Sequence, residues 1–148
     1  MVSAENTDLT TSPKWIYVVA AALSLAGLAD ALYLTVQHMA GASVPCSVTS
    51  GCEEVLTSRY AVVAGFPLAA LGAAAYFSVF SLSTLAAFGY RLAGILLRPL
   101  VVLMVLMSIW LFYLQAVVIR AFCQFCLLSA AITIALLIVV LVAWKKGR

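Results

Sequence analysis

Long apolar runs separated by short polar segments follow an N-terminal stretch of 13 mostly polar residues. A helix needs about 20 mainly apolar residues to cross a hydrocarbon core about 30 Å thick. Four runs meet this requirement, and they predict transmembrane helices over about residues 15–38, 67–88, 99–119 and 122–144. Because proline is tolerated in the first turn of a helix, Pro67 and Pro99 are interpreted as helix starts. The predicted fold is all-α, an integral membrane bundle of four helices.

The composition agrees with this pattern and excludes a soluble domain. The chain is 66% hydrophobic and 9% charged, whereas soluble domains are about 45–50% apolar and about 25% charged. We therefore predict one membrane domain over residues 14–148, preceded by a disordered segment over residues 1–13. No nucleic-acid partner is expected.

Basic residues in the short connections predict the orientation, because they concentrate on the cytoplasmic side. With a cytoplasmic N-terminus, Arg59 and Arg120 lie outside. Six basic residues then lie inside: Lys14, Arg91, Arg98, Lys145, Lys146 and Arg148. Both termini are thus predicted to be cytoplasmic.

All four cysteines fall on the outer side in this orientation. Cys46 and Cys52 lie on the loop between the first two spans, and Cys123 and Cys126 open the fourth. An oxidising compartment permits disulfides at these positions. A Cys-x-x-C pair in the first turn of a helix favours thiolate, because unpaired amides and the helix dipole stabilise negative charge. Arg120 adds positive charge beside this pair.

The loop between the first two spans predicts a short helix that covers the mouth of the bundle. Ser50 with Glu53 three residues later has the spacing of a capping box, which would place Cys52 in the first turn. The small and polar residues before it, broken by Pro45, predict that Cys46 is mobile and exposed.

Four cysteines outside the membrane suit three uses. They could form two structural disulfides in a non-enzymatic membrane protein, or hold zinc, although a zinc site usually offers two closely spaced pairs. The third use is a thiol relay, in which a partner protein exchanges with the loop pair and the loop pair exchanges with the Cys-x-x-C pair. Its final acceptor would be lipid-soluble, and a quinone fits that description. No metal site is predicted.

The order of four spans, a loop cysteine pair and a Cys-x-x-C at the last span resembles the vitamin K epoxide reductase family, in particular its bacterial members. The segment GFPLAALGAAAY, residues 65–76, is similar to the start of that family's second helix. The segment CEEVLTSRY, residues 52–60, is similar to the one after its second loop cysteine, including Ser58. The resemblance extends over most of the chain and implies a bacterial inner membrane protein.

The resemblance implies a role for each cysteine. Cys46 would exchange with a thioredoxin-like (DsbA-like) protein, Cys52 would pass electrons to Cys123 through a transient disulfide, and Cys126 would face the quinone. Ser58 would help to hold the loop or the quinone head. Many bacterial members carry a fused thioredoxin-like domain, and here the partner is expected to be a separate protein.

Two positions depart from the vertebrate enzymes of that family. Ala130 replaces a tyrosine four residues after the second cysteine of the pair, and Leu68 stands where those enzymes have a quinone-directed asparagine. We therefore expect reduction of a respiratory quinone, menaquinone or ubiquinone, rather than of vitamin K epoxide.

Further candidates for the quinone site come from the spans themselves. An acid inside a membrane span is a functional hypothesis by default, so Asp30 could deliver a proton or bind the head group, or simply be a hydrogen-bonded aspartate. Met107 and Trp110 stand three apart on one helix face, which suits either a quinone pocket or ordinary packing. With these residues, Ser58, Leu68 and Phe122 complete the predicted quinone set.

Overall fold

The computed structural model describes residues 13–43, 45–46 and 51–146. Within these residues four helices are long and apolar enough to cross a membrane, so the predicted all-α bundle is confirmed. The elements in chain order are α1 (Pro13–Ala40), α2 (Cys52–Leu56), a 3₁₀ turn (Arg59–Ala61), β1 (Val62–Val63), β2 (Phe66–Pro67), α3 (Leu68–Ala87), α4 (Arg91–Tyr113), a π-helix (Leu114–Ile119) and α5 (Gln124–Lys146). Ser50 and nearly all of the predicted disordered segment lie outside the described residues.

The four long helices form a closed ring of contacts. Helix α1 packs against α3 and α5, and α4 packs against the same two helices from the other side. The small residues of α3, among them Gly72 and Ala73, allow α1 and α3 to approach closely. A core of Leu97, Val101, Leu136 and other apolar side chains fills the interior.

Tyr76 ties three of the helices together. Its ring lies in the space left by the missing side chain of Gly27 on α1. Its hydroxyl lies 2.9 Å from the Ser129 carbonyl oxygen, 2.7 Å from Ser129 Oγ and 3.1 Å from Thr133 Oγ1 on α5. Because the phenol is buried, these partners satisfy a polar group that would otherwise be costly in the bilayer.

Replacing Gly27 with alanine should therefore destabilise the bundle. The added Cβ would overlap the buried Tyr76 ring, and overpacking of this kind typically costs about 1–3 kcal/mol. Thermal unfolding in detergent measures the loss. Gly72→Ala is the matched control, because its added Cβ would lie 3.9 Å from the Ala31 Cβ, an ordinary contact; equal losses in both variants would contradict the argument.

The prediction that Pro99 starts the third span is wrong. Helix α4 begins at Arg91, and Pro99 lies inside it. The chain reverses within a few residues, because Gly89 adopts a positive φ of 102° after the end of α3. Arginines at 91 and 98 suggested a loop, but the apolar residues between them continue the helix, and proline is tolerated inside membrane helices.

The short helix over the bundle starts one residue later than expected. Gly51 is the N-cap of α2, with no side-chain cap hydrogen bond. Val55 is buried and Leu56 packs beside it, so α2 turns its apolar face towards the bundle. The antiparallel pairing of β1 with β2 then leads the chain into α3.

Candidate functional site

All four cysteines meet where α2 covers the ends of α4 and α5. Cys52 and Cys123 are almost fully buried, at 1% and 0% exposure, and they belong to one cluster with Val55 and Ala121. Cys46 and Cys126 pack against the same cluster. Residues from two segments some 70 positions apart in sequence thus form a single thiol site.

The two pairs are in different states. Cys46 and Cys52 are joined as a disulfide, with their Cα atoms 6.1 Å apart, whereas Cys123 and Cys126 are free thiols. Cys46 is half-buried against the cluster, and the expectation that it is exposed is wrong. Its disulfide to the buried Cys52 explains the difference, because the bond holds the loop against α2.

A close approach of main chain brings α2 to the Cys-x-x-C pair. Gly51 is buried, and a Cβ added to it would lie 2.7 Å from the Phe122 nitrogen and 2.8 Å from the Phe122 oxygen. Only a residue without a side chain fits here. Cys52 follows Gly51 directly, and Cys123 follows Phe122, so this contact sets the two buried cysteines side by side.

Cys123 occupies the N-cap position of α5, directly before Gln124. A hydrogen bond from the Cys126 thiol is the main cause that lowers the pKa of Cys123 to about 7. Burial opposes this effect, and the backbone amides of Cys126 and Phe125 add to it. The sequence suggested that the charge of Arg120 also lowers the pKa of Cys123, but Arg120 is exposed. The local hydrogen bonds at the helix start account for the lowered pKa.

The nature of residue 126 should therefore control the ionisation of Cys123. In a background of Cys46→Ser with Cys52→Ser, where Cys123 cannot form a disulfide with the loop pair, Cys126→Ala removes the thiol donor and the pKa of Cys123 should rise above about 7. Cys126→Ser is the matched control, because its hydroxyl still donates. Thiolate absorbance in the ultraviolet, followed against pH, gives both midpoints. A midpoint in the alanine variant equal to that in the serine variant would contradict the hydrogen-bond explanation.

A cavity of about 130 Å³ opens beside Cys126 between the helices. Most of its wall is apolar, and its polar groups include Asp30, Ser58, Gln115 and Ser129. Apolar pockets with a few convergent polar groups are the usual sites for small ligands. Because it lies within the bundle, a lipid-soluble ligand is the kind it would hold.

The structure brings only part of the predicted quinone set to this cavity. Asp30, Ser58 and Leu68 line it together with Cys126. Ser58 Oγ donates to the Val55 carbonyl at 2.8 Å, which ties the end of α2 to the following turn.

The remaining three predicted residues do not line the cavity. Met107 and Trp110 are exposed on the outer face of α4 at 41% and 50%, and Trp110 stacks on Tyr113 with ring centroids 5.8 Å apart. Phe122 packs on Phe112 at 6.0 Å. The three-residue spacing of Met107 and Trp110 thus corresponds to an outward face of the bundle.

Two features of the site lie beyond the sequence prediction. Gln115, buried in the π-helix, accepts a hydrogen bond from the Cys123 amide through Oε1 at 2.9 Å. The sequence predicts Asp30 as a site residue but not the state of its carboxylate. Oδ2 is buried and has no hydrogen-bond partner in the described part of the chain. A glutamine in an otherwise apolar segment eight residues before Cys123 was the available signal, since polar residues in spans mark functional positions.

Four membrane-length helices and a buried site of paired cysteines define a multi-pass membrane protein of thiol redox chemistry. The model of the vitamin K epoxide reductase family matches residues 18–141. The match covers most of the chain, so the protein belongs to this family, as the resemblance implied. A comparison with curated protein sequences gave no match.

Family membership carries a general activity. Members are oxidoreductases and act in general with thioredoxin-like partners and quinone-type redox chemistry. Together with the cysteine pair at disulfide distance, this supports a membrane redox enzyme that works on thiols and disulfides.

Proposed function

We propose that this protein oxidises a secreted thioredoxin-like (DsbA-like) protein and passes the electrons to a membrane quinone, and so supports disulfide formation outside the cytoplasm. The observation that carries the proposal is the single cluster of four cysteines, with a disulfide at one end and a free thiol beside an apolar cavity at the other. Electrons can cross such a site by exchange between neighbouring sulfurs.

The first exchange takes place at the loop pair. A thiolate of the partner attacks Cys46, the Cys46–Cys52 bond breaks, and the partner's second thiol resolves the mixed disulfide. The partner leaves as a disulfide, and Cys46 and Cys52 hold its two electrons and two protons as thiols. Cys46 suits this role because it is the less buried of the two.

The second exchange takes place inside the cluster. Cys52 attacks Cys123 of an oxidised Cys123–Cys126 pair, and Cys46 then attacks Cys52. The loop disulfide reforms, and Cys123 and Cys126 are released as thiols, which is the combination of states in this structure. Because the pKa of Cys123 is near 7, its thiolate is present at neutral pH and is also a good leaving group.

The chain's own residues fit a quinone as the final acceptor. Bound beside Cys126, a quinone would accept two electrons and two protons and leave as a quinol, while the Cys123–Cys126 disulfide reforms. Leu68 and other apolar side chains would pack on the ring, and Ser58 and Asp30 supply polar contacts in the wall. The unpartnered Oδ2 of Asp30 supports a role towards a bound ligand.

The orientation is proposed from the basic residues, which place both termini in the cytoplasm and the cysteines outside. The structure is compatible with this, because Arg98 near the start of α4 lies over the Trp144 ring at the end of α5, 5.6 Å from its centroid. Basic and tryptophan side chains thus share the end of the bundle opposite to the cysteines, as expected at a cytoplasmic interface. The membrane we propose is the bacterial inner membrane.

Asp30 is proposed to deliver a proton to the acceptor. Asp30→Asn keeps the shape but removes the ionisable group, so the rate of quinol formation should fall by about 10²-fold or more. The rate of each protein is measured with excess quinone from about pH 6 to pH 8, the range in which a positioned acid would respond. An asparagine variant with the wild-type rate throughout would exclude proton delivery and leave Asp30 as a packing residue.

The function is tested with purified protein in detergent. The protein is reduced with dithiothreitol under argon, the excess is removed, and the ultraviolet absorbance of added menaquinone or ubiquinone is followed. Two quinols per fully reduced protein are expected, one for each cysteine pair, because the relay also passes the electrons of Cys46 and Cys52 on to Cys123 and Cys126. If protein shown to carry free thiols forms no quinol, the relay has no quinone acceptor. That result would favour a membrane protein with two structural disulfides.

A further inference from the structure

The main chain leaves the regular α-helical geometry after the end of α4, and Gln115 lies at the start of this irregular segment. The last residues before the Cys-x-x-C segment form a π-helix, Leu114–Ile119, and Arg120 then adopts a left-handed conformation with φ 58° and ψ 34°. The Ala121 amide donates to the Gln115 carbonyl at 3.1 Å. The main chain of Gln115 therefore closes the reversal that leads to Cys123, and π-helical turns of this kind are frequent at functional sites.

The side chain of Gln115 contacts the redox pair directly. Gln115 is 3% exposed, and its Oε1 accepts the hydrogen bond from the Cys123 amide. Since Cys123 precedes the first residue of α5, its amide has no acceptor within that helix. Gln115 thus satisfies a buried main-chain donor at the residue that must react with Cys52.

The NH₂ group of the same side chain is the part left for a ligand in the cavity. A carboxamide has one acceptor oxygen and one NH₂ group, and a backbone amide can bond only to the oxygen. Nε2 is therefore turned away from Cys123, with two N–H donors. Gln115 lines the cavity together with Asp30 and Cys126, so these donors lie on the side where an acceptor would bind.

We propose that Gln115 links the thiol pair to the electron acceptor. Its oxygen holds the Cys123 amide and so fixes the thiol between Cys52 and Cys126, while its nitrogen donates to a carbonyl oxygen of the quinone. The second half rests on the proposed function for the identity of the acceptor, whereas the first half concerns the thiols alone.

Two variants separate the two ends of the side chain. Gln115→Met keeps the length but removes both the strong acceptor and the donors. Gln115→Glu keeps an acceptor oxygen for the Cys123 amide, donates only while its carboxyl is protonated, and loses that donor on ionisation. Gln37→Met is the matched control, because Gln37 lies on α1 outside the wall of this cavity.

Two measurements are made on each protein. The first uses no quinone: in a background of Cys46→Ala with Cys126→Ala, added diamide accepts the two electrons, and the rate at which it oxidises Cys52 and Cys123 to a disulfide is followed by alkylation of the remaining thiols. The second gives kcat and KM for a short-chain quinone with dithiothreitol as reductant. Four titratable side chains line the cavity, Asp30, His38, Tyr60 and Cys126, so each variant is compared with the otherwise unchanged protein at every pH.

In the methionine variant both quantities should change: the disulfide should form more slowly and KM should be higher, each by roughly fivefold to tenfold. This is the effect expected from the loss of one hydrogen bond. The glutamate variant should form the disulfide at the original rate. Its KM should be close to the original at low pH and should rise with pH, because a carboxylate lacks a donor and repels a carbonyl oxygen. Gln37→Met should change neither.

Other outcomes would overturn the link. A methionine variant that changes only one of the two measurements shows that the two ends are not both used. A glutamate variant that matches methionine in both measurements at every pH shows a purely structural role. If the unchanged protein forms no quinol, the proposed function fails and the acceptor half fails with it, while the disulfide rate still decides the Cys123 half.

Discussion

Cys126→Ala should form no quinol with either menaquinone or ubiquinone, while exchange between the loop pair and a protein partner continues. Cys126 is the thiol that lines the cavity, and without it the Cys123–Cys126 disulfide cannot reform as electrons leave. The remaining thiol at Cys123 can still form a disulfide with Cys52, so the variant should accumulate that bond. Quinol absorbance measures the first effect, and thiol alkylation followed by peptide mapping identifies the bond.

Cys46→Ala is the complementary control. It removes the proposed site of partner attack but leaves Cys123 and Cys126 intact, so turnover with a thioredoxin-like protein should stop while a small dithiol still supports quinol formation. Quinol production by the Cys126→Ala protein at the original rate would contradict the proposed order of the cysteines, because electrons would then leave from another sulfur.

Gly51→Ala should interrupt the relay between the two cysteine pairs. The backbone of Gly51, with φ −96° and ψ 5°, would accept alanine, but the added methyl group would overlap the main chain of Phe122. Since main chain cannot rotate away as a side chain can, α2 must shift from the start of α5. Misplacement of about 1 Å in a reacting group can cost about 10²-fold in rate.

The effect should be confined to one step. Partner-driven quinol formation by Gly51→Ala should fall by about 10²-fold, whereas dithiothreitol that reduces the Cys-x-x-C pair directly should still give quinol. Glu54→Ala is the control on the same helix, because Glu54 is exposed and its removal leaves the close contact unchanged. Partner-driven turnover at the original rate in Gly51→Ala would show that the approach of α2 to Phe122 does not position the cysteines.

Much of the architecture was predictable because a bilayer imposes strong and local requirements. Apolar runs of sufficient length identified all four spanning helices, and the positions of the cysteines along them led to the family that the chain belongs to. The wrong start at Pro99 arose because a proline is a weaker sign of a helix boundary in membranes than in water. Proline is common at the first position of a helix in water, whereas in this bundle the apolar residues after Arg91 continue the helix through Pro99.

The candidate site was predictable only in part. The place of the Cys-x-x-C pair at a helix start predicts a stabilised thiolate, and the pKa of Cys123 is lowered, chiefly by the hydrogen bond from the Cys126 thiol. The choice of cavity residues was less successful, because helical spacing shows which residues share a face but not where that face points. Asp30 points inwards and Trp110 outwards, although both lie in membrane-length helices.

By itself the sequence determined the class of protein, the number of spans, the segments that carry the cysteines and the chemistry that a Cys-x-x-C at a helix start favours. These follow from composition and from neighbours within one or two helical turns. Only the tertiary structure decided that Gly51 lets α2 reach Phe122, that Gln115 holds Cys123, and which side chains enclose the cavity. Such contacts join residues up to 100 positions apart, as Asp30 and Ala130 are in the cavity wall. They depend on how the helices rotate and pack, which hydrophobic periodicity leaves undetermined because lipid and core are both apolar.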